Sequence, residues 1–273
     1  MKKLIALLLM VAMLVTCVAS CGGKDGETAS GTDSQPKKET LLVATNAEFE
    51  PFESMTAAGE LVGFDIDLMN AIGEKIGCEI KWQNMEFDGV VAAVTQGTCD
   101  AAISGLTINA KRKASVDFCD AYYSGAAQIL IVASDDTYYT GSTKEELDEQ
   151  LKNQTIGVCS GFTGQFYAQG DEEWGFTKIE GATVKIYENV SLAIEDIRNG
   201  NISAVIMDDS VAKEAANANS DAVKVIDVPL TVEEYGIAVA KGNTELASKI
   251  NEAYAELVGS GKVAELLTKY GLE

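Results

Sequence analysis

Residues 93–103, AVTQGTCDAAI, line up without a gap on residues 196–206, DIRNGNISAVI. Each stretch reads as the end of a helix closed by a glycine, Gly97 or Gly200, and followed by a buried strand. Glycine after the last helical turn supplies the left-handed residue that ends a helix, and a short, continuously apolar strand is one covered on both faces. One such unit is generic, but here it recurs in the two halves of the chain. Working outward, the first half carries a strand over 41–44, then a helix with Ile66, Met69, Ile72 and Ile76 on one stripe, ending at Gly77. A strand over 79–82, a helix over 87–96 and a strand over 100–104 follow. The second half repeats strand-helix-strand-helix-strand across 155–207. Between the halves, 128–133 is an apolar strand and 147–151 is helical. Beyond Asp227-Val228-Pro229 come a strand over 235–240 and helices near 244–258 and 260–269. Short apolar strands separated by helices predict parallel α/β sheets. Two such lobes enclose a cleft at the carboxyl ends of their strands, where sheets of this kind place ligands.

The amino terminus says where these lobes work. Lys2 and Lys3 precede an apolar run over 4–15, and the stretch closes on Val18-Ala19-Ser20-Cys21. A basic start and an apolar run of roughly 12 residues form a secretory signal, too short to span a bilayer. Cys21 follows two small residues and precedes Gly22-Gly23, as in the lipobox of bacterial lipoproteins, where the cysteine is acylated after cleavage. An ordinary cleavage site is the alternative, and Cys17 after the bulkier Thr16 is a weaker anchor. The reading is a lipoprotein signal over 1–21 and a polar, flexible tether over 22–40. No second apolar run is long enough to cross a membrane, so the lobes are expected to hang from lipid.

Charge and composition narrow the chemistry. The 273 residues carry a formal charge of −21, and removing a signal with two lysines and no acid makes it −23. That balance argues against nucleic acid or anionic lipid as a partner. There is no histidine, which removes the usual Ser-His and Cys-His machineries. Cys78, Cys99, Cys119 and Cys159 are widely spaced with no CxxC, so neither a metal nor any cofactor is expected. Two disulfides would be compatible with export, but four cysteines serving as small core residues is the preferred reading.

Arginine occurs only at Arg112 and Arg198. Arg198 stands at a helix end, where a cation suits the dipole and nothing more is needed. Arg112 lies just past the strand over 100–104, in Ser104-Gly105-Leu106-Thr107-Ile108-Asn109-Ala110-Lys111-Arg112. Its planar guanidinium grips a carboxylate bidentately as lysine cannot, although a surface arginine is the plain alternative. Gly105 allows close backbone approach, and Thr107 offers a hydroxyl. In the second half, Cys159-Ser160-Gly161-Phe162-Thr163-Gly164 leads from a strand through a turn into a helix whose free N–H groups suit an anion. Asp208 ends its strand and is placed to receive an ammonium. Carboxylate donors and an ammonium acceptor on opposing strand ends describe the head group of a free α-amino acid.

With these pieces the chain resembles the polar amino-acid-binding proteins of bacterial ABC importers, the group that includes the glutamine- and histidine-binding proteins. The resemblance runs through Val43-Ala44-Thr45-Asn46-Ala47-Glu48-Phe49-Glu50-Pro51-Phe52, Gly63-Phe64-Asp65-Ile66-Asp67-Leu68 and Phe87-Asp88-Gly89. It continues through Ser104 to Thr107 with Arg112, then Val116-Asp117-Phe118 with Tyr122-Tyr123, and covers about 41–273. It implies an α/β periplasmic-binding-protein fold of the Venus-flytrap, type II kind. Lobe 1 would be 41–125 plus 232–273 and lobe 2 126–231, with hinge strands near 122–128 and 229–235. It further implies that Arg112 clamps the α-carboxylate with the N–H groups of Thr107 and Thr163. The α-ammonium would go to Asp208, the Gly105 carbonyl and the Thr107 hydroxyl, with Ser104 beside them. Phe49 and Phe87 would sandwich the ligand side chain, core packing being their alternative. Asn46 stands where the glutamine and histidine binders carry an acid, Cys159 where the glutamine binder has lysine, and Phe162 in place of a usual threonine.

These departures leave a side-chain pocket of Asn46, Phe49, Phe87, Cys159 and Met207 with no formal charge, and Glu48 and Glu50 are expected to point out of the cleft. The expected ligand is therefore a polar, uncharged amino acid, with a cationic one (arginine, lysine or histidine) as the alternative. The function implied is a monomeric, non-enzymatic receptor. It would be lipid-anchored at Cys21 on the extracellular face of the cytoplasmic membrane, in the periplasm if the cell has an outer membrane. It would deliver its amino acid to an ABC permease. A dehydratase-like enzyme and a sensor on the same fold are lesser alternatives.

Overall fold

The computed structural model describes residues 39–272. The signal, Cys21 and the tether up to residue 38 lie outside the described residues; Glu39 and Thr40, read above as the end of the tether, instead begin the first strand, where they pair in register with Cys78 and Glu79.

The first lobe opens with β1 (Glu39–Thr45), followed by a small sheet of β2 (Glu48–Phe49), β3 (Glu53–Met55) and β4 (Leu61–Val62). Next come α1 (Phe64–Ile76), β5 (Cys78–Asn84), α2 (Phe87–Thr95), β6 (Ala101–Ala102), α3 (Ala110–Ser115) and the long β7 (Val116–Ala126). After a single residue the chain enters the second lobe with β8 (Gln128–Ala133), α4 (Lys144–Leu151), β9 (Thr155–Cys159) and α5 (Thr163–Gln169). That lobe is completed by β10 (Thr183–Tyr187), α6 (Val190–Arg198), β11 (Ala204–Asp208), α7 (Asp209–Ala218) and β12 (Val223–Ile226). The chain then returns to the first lobe with β13 (Glu233–Ala240), α8 (Thr244–Gly259) and α9 (Lys262–Tyr270).

The main sheets run β5-β1-β6-β13-β7 and β10-β9-β11-β8-β12. Each is parallel where helices supply the crossovers, as in β5-β1-β6 and β10-β9-β11. Neither is parallel throughout, which corrects the expectation from the apolar runs. β13 is antiparallel to β6 and β7, and β8 is antiparallel to β11 and β12. The reason is connectivity. A parallel neighbour needs a crossover of a dozen or more residues, whereas β8 and β13 are the strands by which the chain passes between lobes, entering each sheet from the cleft side. A continuous apolar run marks burial on both faces but carries no information about direction.

Burial follows position in the sheets. β11 is buried along its whole length and β8 in all but its last residue, while the edge strands β5 and β10 alternate. α1 ends at Gly77 in the left-handed conformation (φ 76°) and sets Phe64, Leu68, Met69 and Ile72 into the core beneath α8 and α9. Phe52, Tyr123 and Tyr235 pack edge-on and stacked at 5.1–5.6 Å where the two hinge strands meet the first lobe. Cys99, Cys119 and Cys159 are buried free thiols and Cys78 a half-buried one, so these cysteines pack rather than pair. Among the described residues no helix is long and apolar enough to cross a membrane.

Candidate functional site

The cleft floor in the first lobe is the segment from Ser104 to Arg112. Its shape is imposed from behind. The Ser104 hydroxyl accepts from the Asn46 N–H (3.0 Å) and donates to Glu53 (2.7 Å), and the Gly105 N–H donates to Asp65 (2.9 Å). Gly105 sits at φ 52°, and a Cβ there would lie 2.4 Å from the Phe49 ring. Only glycine lets that aromatic face lie against the backbone. Asn109 caps α3 by accepting from the Arg112 N–H (2.8 Å), which places Arg112 in the first turn with its side chain directed inward.

The Arg112 guanidinium is buried. It donates to the Thr107 carbonyl (3.0 Å) and, across the cleft, to the Gly161 carbonyl (3.3 Å). It also lies 5.4 Å from the Phe87 ring centre and 5.0 Å from that of Trp174. Burial lowers its pKa to about 10, an effect opposed by the nearby negative charge of Glu233 and Asp208, so it stays cationic at neutral pH. The arginine is thus a desolvated cation held in one orientation by carbonyls and aromatic faces.

The second lobe contributes the ends of β9 and β11. Asp208 is buried and accepts from the Tyr235 hydroxyl at 2.7 Å. Burial, and secondarily the charge of Glu233, pushes its carboxyl up to about 7 against the hydrogen bonds from Tyr235 and Gln128. Such an acid gains from any cation placed against it. Thr163 opens α5, and its hydroxyl lies 3.1 Å from that of Thr107. Both hydroxyls donate to one oxygen of Glu233, at 2.7 and 2.8 Å, while Thr231 and Gln128 donate to the other at 2.6 and 3.1 Å. Ser160 donates to Asp88 (2.6 Å) and Lys111 pairs with Asp171 (2.9 Å), so further contacts join the lobes across the cleft.

The structure therefore brings Ser104, Gly105, Thr107, Arg112, Thr163 and Asp208 to one cleft. Around the expected side-chain pocket it shows a different packing from the one drawn above. The ring between Phe49 and Phe87 is Phe162, at 5.5 and 4.4 Å from them. The Asn46 amide donates inward to the Met85 carbonyl (2.9 Å). Cys159 and Met207 are buried, and the Cys159 thiol is pushed up to about 12 by burial and then by the charges of Asp208 and Glu48. Glu48 and Glu50 are exposed. With Asn189 and Glu214 they line a cavity of about 400 Å³ between the β2–β3 hairpin and helices α6 and α7. A second cavity of about 330 Å³ is lined by Thr107, Thr163, Thr231 and Glu233.

Four participants escaped the sequence reading: Glu233, Gln128, Trp174 and Tyr235. Glu233 and Glu234 are adjacent and chemically equal, and only the register of β13 buries the first and exposes the second. Tyr235 was one apolar residue in a strand run; alternation along β13 was the one usable signal, and irregularities in that strand blur it.

Comparison with known proteins accords with this geometry. Residues 41–273 match the family described as bacterial extracellular solute-binding proteins, family 3. A probable histidine-binding protein of Neisseria gonorrhoeae is 33% identical over 275 residues, covering 99% of this chain and 96% of the relative. An ancestral arginine-binding protein bound to arginine superposes with a TM-score of 0.74 at 36% identity, covering 85% of this chain and 98% of the other. The ancestral arginine-binding protein bound to glutamine gives 0.73 at 35% identity, covering 87% and 100%. The chain belongs to the bacterial extracellular solute-binding proteins, family 3: it has their two-lobed periplasmic-binding fold and is an amino-acid-binding protein of an ABC importer.

Proposed function

We propose that this chain binds one free L-α-amino acid whose side chain donates hydrogen bonds, with an arginine-type guanidinium first and a glutamine-type amide second. The observation that carries the proposal is the pairing of Arg112 and Asp208, two buried ionisable groups of opposite sign presented by opposite lobes. They complement the carboxylate and ammonium of a zwitterion, with the Thr107 and Thr163 N–H groups on the carboxylate and the Gly105 carbonyl on the ammonium. For the side chain, the amide of Asn46 already spends a donor on Met85, which leaves its carbonyl oxygen to accept. Glu48, which with Glu50 lines an exposed cavity, places negative charge near Cys159, and Lys111 is occupied by Asp171 and Glu173. An accepting Asn46 oxygen and that negative charge favour a donor ligand over an uncharged one without donors. Phe162 must give way to admit a long side chain between Phe49 and Phe87.

On this reading the protein acts as a monomer without catalysis. It is held to the extracellular face of the membrane by lipid on Cys21, and it hands its ligand to the permease when the lobes open. Calorimetric titration with arginine, lysine, histidine, glutamine, asparagine, serine, cystine and glutamate tests the ligand. Arginine or glutamine should bind tightest. If glutamate binds tightest, the donor reading falls. Cys21→Ser should release the protein from membranes, and retention there would refute the anchor.

A further inference from the structure

We propose that Glu53 and Asp65 share a single proton behind the ligand-binding loop, and that this pair is the positioning device for Asn46, Ser104 and Gly105. Both carboxyls have no exposed surface. Their partners are neutral donors only: Ser104 to Glu53 Oε1 at 2.7 Å, and the Gly105 N–H and the Tyr122 hydroxyl to Asp65 Oδ2 at 2.9 and 2.7 Å. The remaining oxygens, Glu53 Oε2 and Asp65 Oδ1, are buried without a donor from any other group. The partners of the two carboxyls, Ser104 and Gly105, are consecutive residues, and the Asp65 N–H donates to the carbonyl of Phe52, next to Glu53, at 2.9 Å, so the two side chains converge behind the loop. Two adjacent carboxylates cannot both stay ionised in a dry site without a cation. One proton, held on Glu53 and donated to Asp65, satisfies both orphaned oxygens and halves the buried charge.

The groups facing the pair supply no alternative cation. Tyr122 of β7 is the further titratable neighbour, and it already donates to Asp65. On α1 and the helices packed against it, Lys269 is engaged by Asp67 and Lys75 by Glu256, both on the exposed side. Burial, and secondarily the charge of Asp65, raises the Glu53 carboxyl well above its ordinary range, while burial raises Asp65 to about 6.

The pair acts through the loop. Asp65 fixes the Gly105 N–H and thereby aims the Gly105 carbonyl, and Glu53 orients Ser104, which in turn holds the Asn46 N–H. Loss of the shared proton leaves two charges in that site and loosens the loop. The link to affinity rests on the amino-acid reading above; the proton itself does not.

The experiment has a ligand-free arm and a ligand arm. In the first, thermal unfolding is followed from pH 5 to 9 for the parent, Glu53→Gln, Glu53→Ala and Asp65→Asn. Glutamine mimics the protonated acid, so Glu53→Gln should unfold within about 4 °C of the parent at pH 7, a shift worth roughly 1 kcal/mol or less. It should also lack the parent's decline between pH 7 and 9. Glu53→Ala and Asp65→Asn should lower the midpoint by more. In the parent, the infrared carbonyl band of a protonated carboxyl should persist at pH 8.5 and vanish in Glu53→Gln. If Glu53→Gln is as damaging as Glu53→Ala, or fails to fold, or if that band is absent from the parent, the proposal is overturned. In the second arm, calorimetry with L-arginine at pH 7 and 9 should show a larger affinity loss at pH 9 in the parent than in Glu53→Gln, which loses only what deprotonation of arginine's own α-ammonium costs. A ligand arm that shows no arginine binding at all tells against the ligand reading alone.

Discussion

Binding should be coupled to the ionisation of Asp208, and the structure sets the size of the effect. In the ligand-free cleft burial and Glu233 hold this carboxyl at about 7, against an ordinary value of 3.8. An α-ammonium against it supplies the missing cation and draws the bound-state value back toward the ordinary one. The ligand then binds only the ionised form, so affinity is full above pH 7 and falls tenfold per unit of pH below about 6. Between pH 8 and pH 5 the loss is on the order of 100-fold, or roughly 2.7 kcal/mol at 1.36 kcal/mol per decade. At pH 6 each binding event should release about 0.9 proton, the fraction of free protein then protonated. Calorimetric titration with arginine in two buffers of different ionisation enthalpy measures that number directly, since arginine itself does not titrate in this range. Asp208→Asn, which resembles the protonated acid, should bind weakly at every pH and release no proton. Affinity that changes less than threefold between pH 5 and 8, with no proton release, would refute the assignment of Asp208 to the ammonium.

Arg112→Ala removes the buried cation facing the carboxylate and should cost about 2–5 kcal/mol, at least ~30-fold in affinity; Arg112→Lys should recover only part of it, and binding within threefold of the parent rejects the clamp. Gly105→Ala places a Cβ 2.4 Å from the Phe49 ring at φ 52°. It should lower stability by about 1–3 kcal/mol, read as a drop in the thermal midpoint, and weaken binding as Phe49 shifts. Glu233→Ala leaves four donors from both lobes and both hinge ends without their shared acceptor, so ligand release should quicken at least ~10-fold and the scattering radius of the ligand-saturated protein should grow. An unchanged release rate would show that the Glu233 contacts do not hold the lobes together. Without ligand, the raised carboxyls of Asp208, Asp65 and Glu53 bind protons in the folded state that the unfolded chain has lost. The stabilisation from Asp65 and Asp208 is present below about pH 4 and disappears as pH rises through 6 to 7, while that from Glu53 goes on declining above this window, so the ligand-free thermal midpoint should fall from pH 5 to pH 8, and a rise across that window contradicts the shifts.

Local rules were enough for the elements themselves. Apolar stripes at helical spacing followed by glycine located α1, α2 and α6, because a helix end and a buried strand leave their signature within about ten residues of chain. The gapless alignment of 93–103 with 196–206 revealed two lobes for the same reason, and the scarcity of arginine singled out Arg112. Strand direction was not legible, since burial on both faces makes β8 and β13 look like their parallel neighbours. The site divided along the same line. Arg112, Thr107, Thr163 and Asp208 stand at strand ends and helix starts that local patterns mark. Which carboxylates lie buried among them depends on contacts between residues far apart in the chain: Glu233 with Thr107, Glu53 with Ser104, and Asp65 with Gly105. An acid's chemistry is set by the water, cations and donors around it, so the sequence by itself determined the two lobes and marked Arg112, Thr107, Thr163 and Asp208 as candidates, and only the tertiary structure decided which acids are desolvated, which are paired, and that Phe162 stands between Phe49 and Phe87.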